Sequence, residues 1–244
     1  MINPIDAVAN VLAQFLQLLK GLTGSYVVAI ILLTIAVKAV LHPLTRKQLQ
    51  SMRAMQALAP QMTALREKFR DNPQQLNREM MDLYRAHGVN PFGGCLPLLL
   101  QLPILWGLFQ VFRRPGIFQD ASVLGVALHR WPCPSPPGAF SADCALTLIH
   151  EPVLLAIIVL VGLTTYIQQR VSMTDPQQAR MFILMPIIFA FFALSFPFGL
   201  SIYWIVYSVV GTLEYYLVQR LPTVLPPPAP EVVLSQRPKG SKKK

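Results

Sequence analysis

Lys38 stands inside the first long apolar run, Tyr26-Val-Val-Ala-Ile-Ile-Leu-Leu-Thr-Ile-Ala-Val-Lys-Ala-Val-Leu41, with no acidic residue near it in sequence. A lone ammonium at the centre of a bilayer costs roughly 2.5–3.5 kcal/mol even on lenient insertion scales. It must therefore reach water, a headgroup, a polar cavity or a partner. Thr34 lies one turn earlier on the same helical face. Gln101 falls midway along a second apolar run, between Pro97 and Pro103, while Thr164, Thr165, Gln168 and Gln169 gather near the end of a third. Together these groups can line a half-channel open to the cytoplasm. Snorkelling is equally open: Lys38 precedes Pro43 by about 7.5 Å along a helix axis, a distance its stem can cover.

Enzymatic motifs are scarce. His150-Glu151 begins like HExxH, yet Pro152 follows and Leu154 takes the second histidine's place, so no metal pair forms on one helix face. No Gly-x-Ser-x-Gly, P-loop or dinucleotide fingerprint occurs. Ser201 and Ser208 have no histidine in neighbouring runs to act as a base. The expectation is a non-enzyme, with no cofactor and no metal.

The class follows from composition. Of 244 residues, 53% are hydrophobic and 13% charged, against about 25% charged in a soluble domain. This is the balance of a membrane protein. The net charge of +10 does not point to DNA, because the basic residues fall between apolar runs, as orientation signals do. Residues 1–20 lack the basic start and cleavage site of a secretory signal. Either Met1 is the true start or an upstream segment has been removed.

An all-α polytopic architecture with five transmembrane helices is expected. It reads as an amphipathic helix at 1–20, span 1 at 21–42, a cytoplasmic helical hairpin at 43–89 and span 2 at 90–113. An extracytoplasmic loop at 114–150, span 3 at 151–170 and a cytoplasmic loop at 171–180 follow. Span 4 at 181–195 and span 5 at 200–219 share one apolar run, which a tight turn at 196–199 divides. The tail is 220–244. As a single helix the run Met181–Val218 would reach about 57 Å, nearly twice a hydrocarbon core of about 30 Å. Sixteen Lys and Arg fall on the side of the hairpin and tail, against Lys20, Arg113, Arg114 and Arg130 opposite. That asymmetry places the amino terminus outside and the carboxyl terminus in the cytoplasm of a bacterial cell (inner or plasma) membrane. The spans are short, about 24 Å for Tyr26–Leu41, so local bilayer thinning is expected.

Outside the spans, Ile5, Val8, Leu12, Phe15, Leu16 and Leu19 form an apolar stripe opposite Asn10, Gln14 and Gln17. Such a helix either lies in the membrane interface or packs on the bundle. In the hairpin, Met52, Met55, Leu58, Met62, Leu65 and Phe69 make a stripe on a helix starting near Pro43. Asp71-Asn72-Pro73 makes the turn, and Leu76, Met80, Leu83 and Tyr84 answer from the return helix. These stripes can pack on each other, and their flexible methionines, with Met81 beside them, can also greet varied apolar partners. Cys133 and Cys144 share the outer loop, where a disulfide would persist; two unpaired thiols remain the alternative. The basic end with Lys239, Lys242, Lys243 and Lys244 suits anionic lipid or RNA phosphates.

At Asn90-Pro-Phe-Gly-Gly-Cys-Leu-Pro-Leu-Leu-Leu-Gln-Leu-Pro103 the chain resembles the YidC family of membrane protein insertases, with its mitochondrial Oxa-type and chloroplast Alb-type relatives. Thr34-Ile-Ala-Val-Lys38, His42-Pro-Leu-Thr45, Glu79-Met-Met-Asp-Leu-Tyr84 and Leu163-Thr-Thr-Tyr-Ile-Gln168 agree. It looks like the short, five-span form of that family. The resemblance implies transfer of hydrophobic segments of nascent proteins into the bilayer through a hydrophilic, positively charged groove, alone or beside the Sec translocon. It implies nascent membrane proteins, membrane lipids, the ribosome and the Sec translocon as partners, and no DNA. Lys38 then matches a groove cation that is usually arginine, Gln168 a groove glutamine (or Gln169) and Trp204 a groove aromatic. Thr34 and Gln101 complete the expected groove, and the hairpin methionines its substrate-greeting surface. Two other functions fit the same residues: a small-solute or anion transporter binding at Lys38, and a structural assembly factor acting through the hairpin.

Overall fold

The computed structural model describes residues 4–89, 96–119, 121–133, 142–172 and 183–220. Helix α1 (Pro4–Thr23) opens the chain, and α2 (Tyr26–Ala57) follows across Gly24-Ser25. Gly24 adopts a φ of 73°, a left-handed conformation that glycine takes without steric cost. Its N–H closes the last turn of α1 on the Lys20 carbonyl at 2.8 Å. The tight joint lets α1 pack against α2, and α1 also packs along α5 (Leu96–Arg113). Ala9, Leu12, Ala13 and Leu16 face that contact, while Val11, Phe15, Leu18 and Leu22 are exposed outward. The helix thus carries two apolar faces, and Phe15, which shares a sequence stripe with Leu12 and Leu16, falls on the outward one.

The expected helix start near Pro43 is corrected. Pro43 lies inside α2, which runs on to Ala57, so the expected span 1 and the helix expected from Pro43 are one element. The missing Pro43 N–H frees one carbonyl, that of Ala39, and one lost backbone bond does not end a helix whose other turns continue. The break comes at Leu58 instead, before α3 (Ala59–Lys68), whose first turn holds Pro60. Proline there removes the N–H that would reach Gln56 and pushes the chain out of line. After the turn, Asn72 caps α4 (Pro73–Ala86), its Oδ1 accepting from the Gln75 N–H at 3.1 Å. Leu58, Met62 and Leu65 are buried, and the Tyr84 hydroxyl donates to Met62 Sδ at 3.2 Å.

The loop expected at 114–150 has structure of its own. Strands β1 (Ser122–Val123) and β2 (Val126–Ala127) form a hairpin across Leu124 and Gly125, both at positive φ, as a two-residue reversal requires. Helix α6 (Ala142–His150) then leads into α7 (Pro152–Ser172). Cys133 and Cys144 are joined as a disulfide. Helix α8 (Met185–Ala193) is shorter than the expected span, and α9 (Phe198–Gln219) already includes Phe198 and Gly199, so the reversal falls at 194–197. Pro197 caps α9 from just outside it, where proline's fixed φ suits a helix start.

α9 is the hub. It packs against α2 and α7 most extensively and also touches α5 and α8. Phe198, Leu200, Ile202 and Tyr203 are buried in its first turns. By length and composition, α2 and α7 are the two described helices able to cross a membrane. Large side chains on the outer faces of α7, α8 and α9, such as Val159, Ile187, Phe192 and Leu217, are more than half exposed. So much apolar surface marks a lipid- or protein-facing exterior.

Candidate functional site

Polar side chains follow one face of α9. Tyr203 and Trp204, Tyr207 and Ser208, Gly211, and Glu214 succeed each other at steps of three or four, the spacing that keeps residues on one side of a helix. The column spans about 16 Å of axis. Each step meets a partner from another helix. Gln101 on α5 donates to the buried Tyr203 hydroxyl at 2.5 Å. One step on, the Trp204 indole N–H donates to Thr165 Oγ1 on α7 at 3.0 Å, and Phe189 of α8 stacks on the indole with centroids 4.6 Å apart.

Lys38 is turned inward at the next level. Its ammonium lies 3.9 Å from the Tyr207 ring centroid, within cation–π range. It stands 3.6 Å from Glu214 Oε2, with both side chains only 7% exposed. The other oxygen, Oε1, is 2.7 Å from His42 Nδ1, on the half-exposed ring one turn after Lys38. An ionised carboxylate only accepts, so an imidazole with its hydrogen on Nδ1 is the tautomer that fits this short contact. Gly211 provides the room: a Cβ there would lie 2.5 Å from Gln168 Nε2 and 3.1 Å from Lys38 Nζ. Three buried atoms in the column, Gln101 Oε1, Ser208 Oγ and Glu214 Oε2, have no hydrogen-bond partner among the described residues. Buried polar groups are rarely left so.

Comparison with known proteins identifies this bundle. Residues 18–224 match the family described as 60Kd inner membrane protein. The chain belongs to that family. The membrane protein insertase YidC of Citrifermentans bemidjiense is 38% identical over 215 residues, covering 87% of this chain and 37% of that protein. That of Granulibacter bethesdensis is 40% identical over 220 residues, covering 87% of this chain and 38% of its own length. Among solved structures the chain is similar to an active YidC insertase whose crystal structure resolves the first transmembrane domain. The TM-score is 0.66 at 31% identity, covering 86% of this chain and 46% of that one. The chain therefore spans well under half the length of these curated relatives. The resemblance read from the sequence thus holds at the level of the YidC family.

Within this family member, Lys38 and Gln168 both come up to Gly211. Trp204 belongs to the same column through Thr165, and Gln101 joins it further along through Tyr203. Thr34 is fully buried, but its hydroxyl donates to the Ile30 carbonyl of its own helix at 2.7 Å. Of the hairpin methionines, Met62 is buried and Met52 packs on Leu49, Tyr215 and Val218 at the base. Met55 and Met80 are half-buried and Met81 is exposed. The lysines at 239 and 242–244 lie outside the described residues. Sequence reading missed Glu214, His42 and Tyr207. Glu214 carried a usable signal: it is the lone charge in an otherwise apolar run, opposite in sign to Lys38. Intramembrane charges seek one another.

Proposed function

We propose that this chain is an insertase that moves hydrophobic segments of nascent proteins from the cytoplasm into the lipid bilayer. The observation that carries the reading is the polar column on α9, buried between helices whose outer faces are apolar, in a chain whose relatives bear the name insertase. A polar segment crossing hydrocarbon leaves each unsatisfied group costing several kcal/mol. A hydrated polar groove carries that segment part of the way, and burial of the following apolar segment in lipid drives release. The buried polar atoms without partners are the groups such a segment or its water can satisfy.

In this reading the bundle comprises five spans, formed by the first half of α2, α5, α7, the region of α8, and α9, with the amino terminus outside and the carboxyl terminus in the cytoplasm. The α3–α4 hairpin then lies on the cytoplasmic side, where its partly exposed methionines greet substrates. The basic tail suits the ribosome or anionic lipid, and the Sec translocon is a further partner of the same activity. A solute or anion transporter is less well supported, because the curated relatives bear the name insertase. The deciding experiment reconstitutes the protein alone in liposomes and follows insertion of a short single-span substrate by protease protection. Protected substrate supports the reading; insertion no greater than in empty liposomes removes it.

A further inference from the structure

Lys38 is a weakly held cation. Its ammonium stands 3.6 Å from Glu214 Oε2, well beyond the 2.7–2.9 Å or so of a charge-assisted hydrogen bond. Glu214 is better satisfied on its other oxygen, 2.7 Å from His42 Nδ1, and Oε2 itself makes no hydrogen bond among the described residues. One carboxylate is thus shared by two basic groups on the same face of α2. It lies deep in the bundle, while the second basic group is half-exposed. We propose that Glu214 is a specificity-determining residue: a resident stand-in for a substrate carboxylate, which yields Lys38 to an acidic incoming segment and stays anchored on His42.

The chemistry follows from the geometry. Removing one partner of a buried ion pair strands the other, so any exchange that left Glu214 alone would be strongly unfavourable. His42 removes that obstacle, because Glu214 keeps a short hydrogen bond when Lys38 turns to a new partner. Glu214 also sets a threshold. A segment must offer an acidic group to displace it, whereas a segment bearing Lys or Arg meets a carboxylate with a spare acceptor oxygen. The site therefore tolerates polar segments of either sign and grades them by charge, which an unopposed lysine would not do.

This inference rests on the insertase reading, and its test keeps the two apart. Single-span substrates with acidic, neutral or basic outer segments are assayed for insertion into liposomes and, separately, for binding to the protein in nanodiscs. Glu214→Gln is expected to raise the acidic-to-neutral binding ratio about tenfold, the effect of one close charge pair, and to lower the basic-to-neutral ratio. His42→Ala, at a half-exposed position, is expected to act oppositely, lowering the acidic-to-neutral ratio about threefold as Glu214 falls back on Lys38 alone. A merely structural role would scale all three substrates together, so equal factors across the series, or a shift of both variants in one direction, overturn the proposal. Should Glu214→Gln fail to fold, the His42→Ala ratio decides alone. If wild-type protein inserts nothing, the insertase reading fails, while the binding ratios still decide on Glu214.

Discussion

The two ends of α9 are built differently. At its start two backbone donors are answered: the Phe198 and Gly199 N–H groups donate to the Arg130 and Leu128 carbonyls, both at 2.8 Å. These two bonds answer donors that a helix start ordinarily leaves open. Phe112 packs so close to Gly199 that a Cβ there would collide with its ring, and Phe112 stacks on Phe118 at 4.6 Å. Toward its other end, α9 buries a charge pair at 3.6 Å and two polar oxygens, Ser208 Oγ and Glu214 Oε2, without hydrogen-bond partners. One helix is therefore sealed at one end and left responsive at the other. A tight, satisfied end resists rearrangement; a polar end with unmet hydrogen-bonding capacity can accept a visitor.

Substitutions at four positions would break or sharpen this contrast. The largest effect is expected from Lys38→Glu, which buries two carboxylates together. It should destabilise by about 3–5 kcal/mol and abolish insertion of acidic outer segments, whereas Lys38→Arg retains both; thermal unfolding in detergent and the liposome assay read the two outcomes. Next, Gly199→Leu overpacks the sealed end and should cost about 1–3 kcal/mol, seen as a lowered Tm. Insertion per folded molecule should stay as before. Gly211→Ala reverses that pattern. Alanine gains up to about 1 kcal/mol in helix propensity but displaces the Gln168 amide, so Tm holds while insertion falls. The smallest effect belongs to Arg130→Ala. Arg130 Nη1 donates to Glu151 Oε1 at 2.8 Å in a pair 40% and 32% exposed, worth under about 1 kcal/mol; a larger loss would mean that the Arg130 backbone had moved from the start of α9.

The contrast also shows which features were legible beforehand. Local rules reached the α1 and α4 helices, the turn at Asn72-Pro73 and the reversal near Pro197, because caps, prolines and periodicity act over a few residues. They misjudged Pro43 and overlooked Pro60. Both are prolines, but whether a helix survives one depends on what surrounds the freed carbonyl. The β1–β2 hairpin went unseen because Leu124 is an unusual residue for positive φ, and its strands are only two residues long.

From the sequence alone came the membrane class, the family and the oddity of Lys38, since apolar content, a fourteen-residue block and a stranded charge are all written in the order of residues. Only the tertiary structure decided what Lys38 faces. Glu214 lies far from it along the chain, and no local rule couples a residue near the start of one long helix to one near the end of another. The packing of α2 on α9 makes that pairing, and Gly211, whose side chain is one hydrogen, leaves the space beside it that the Lys38 ammonium and the Gln168 amide occupy.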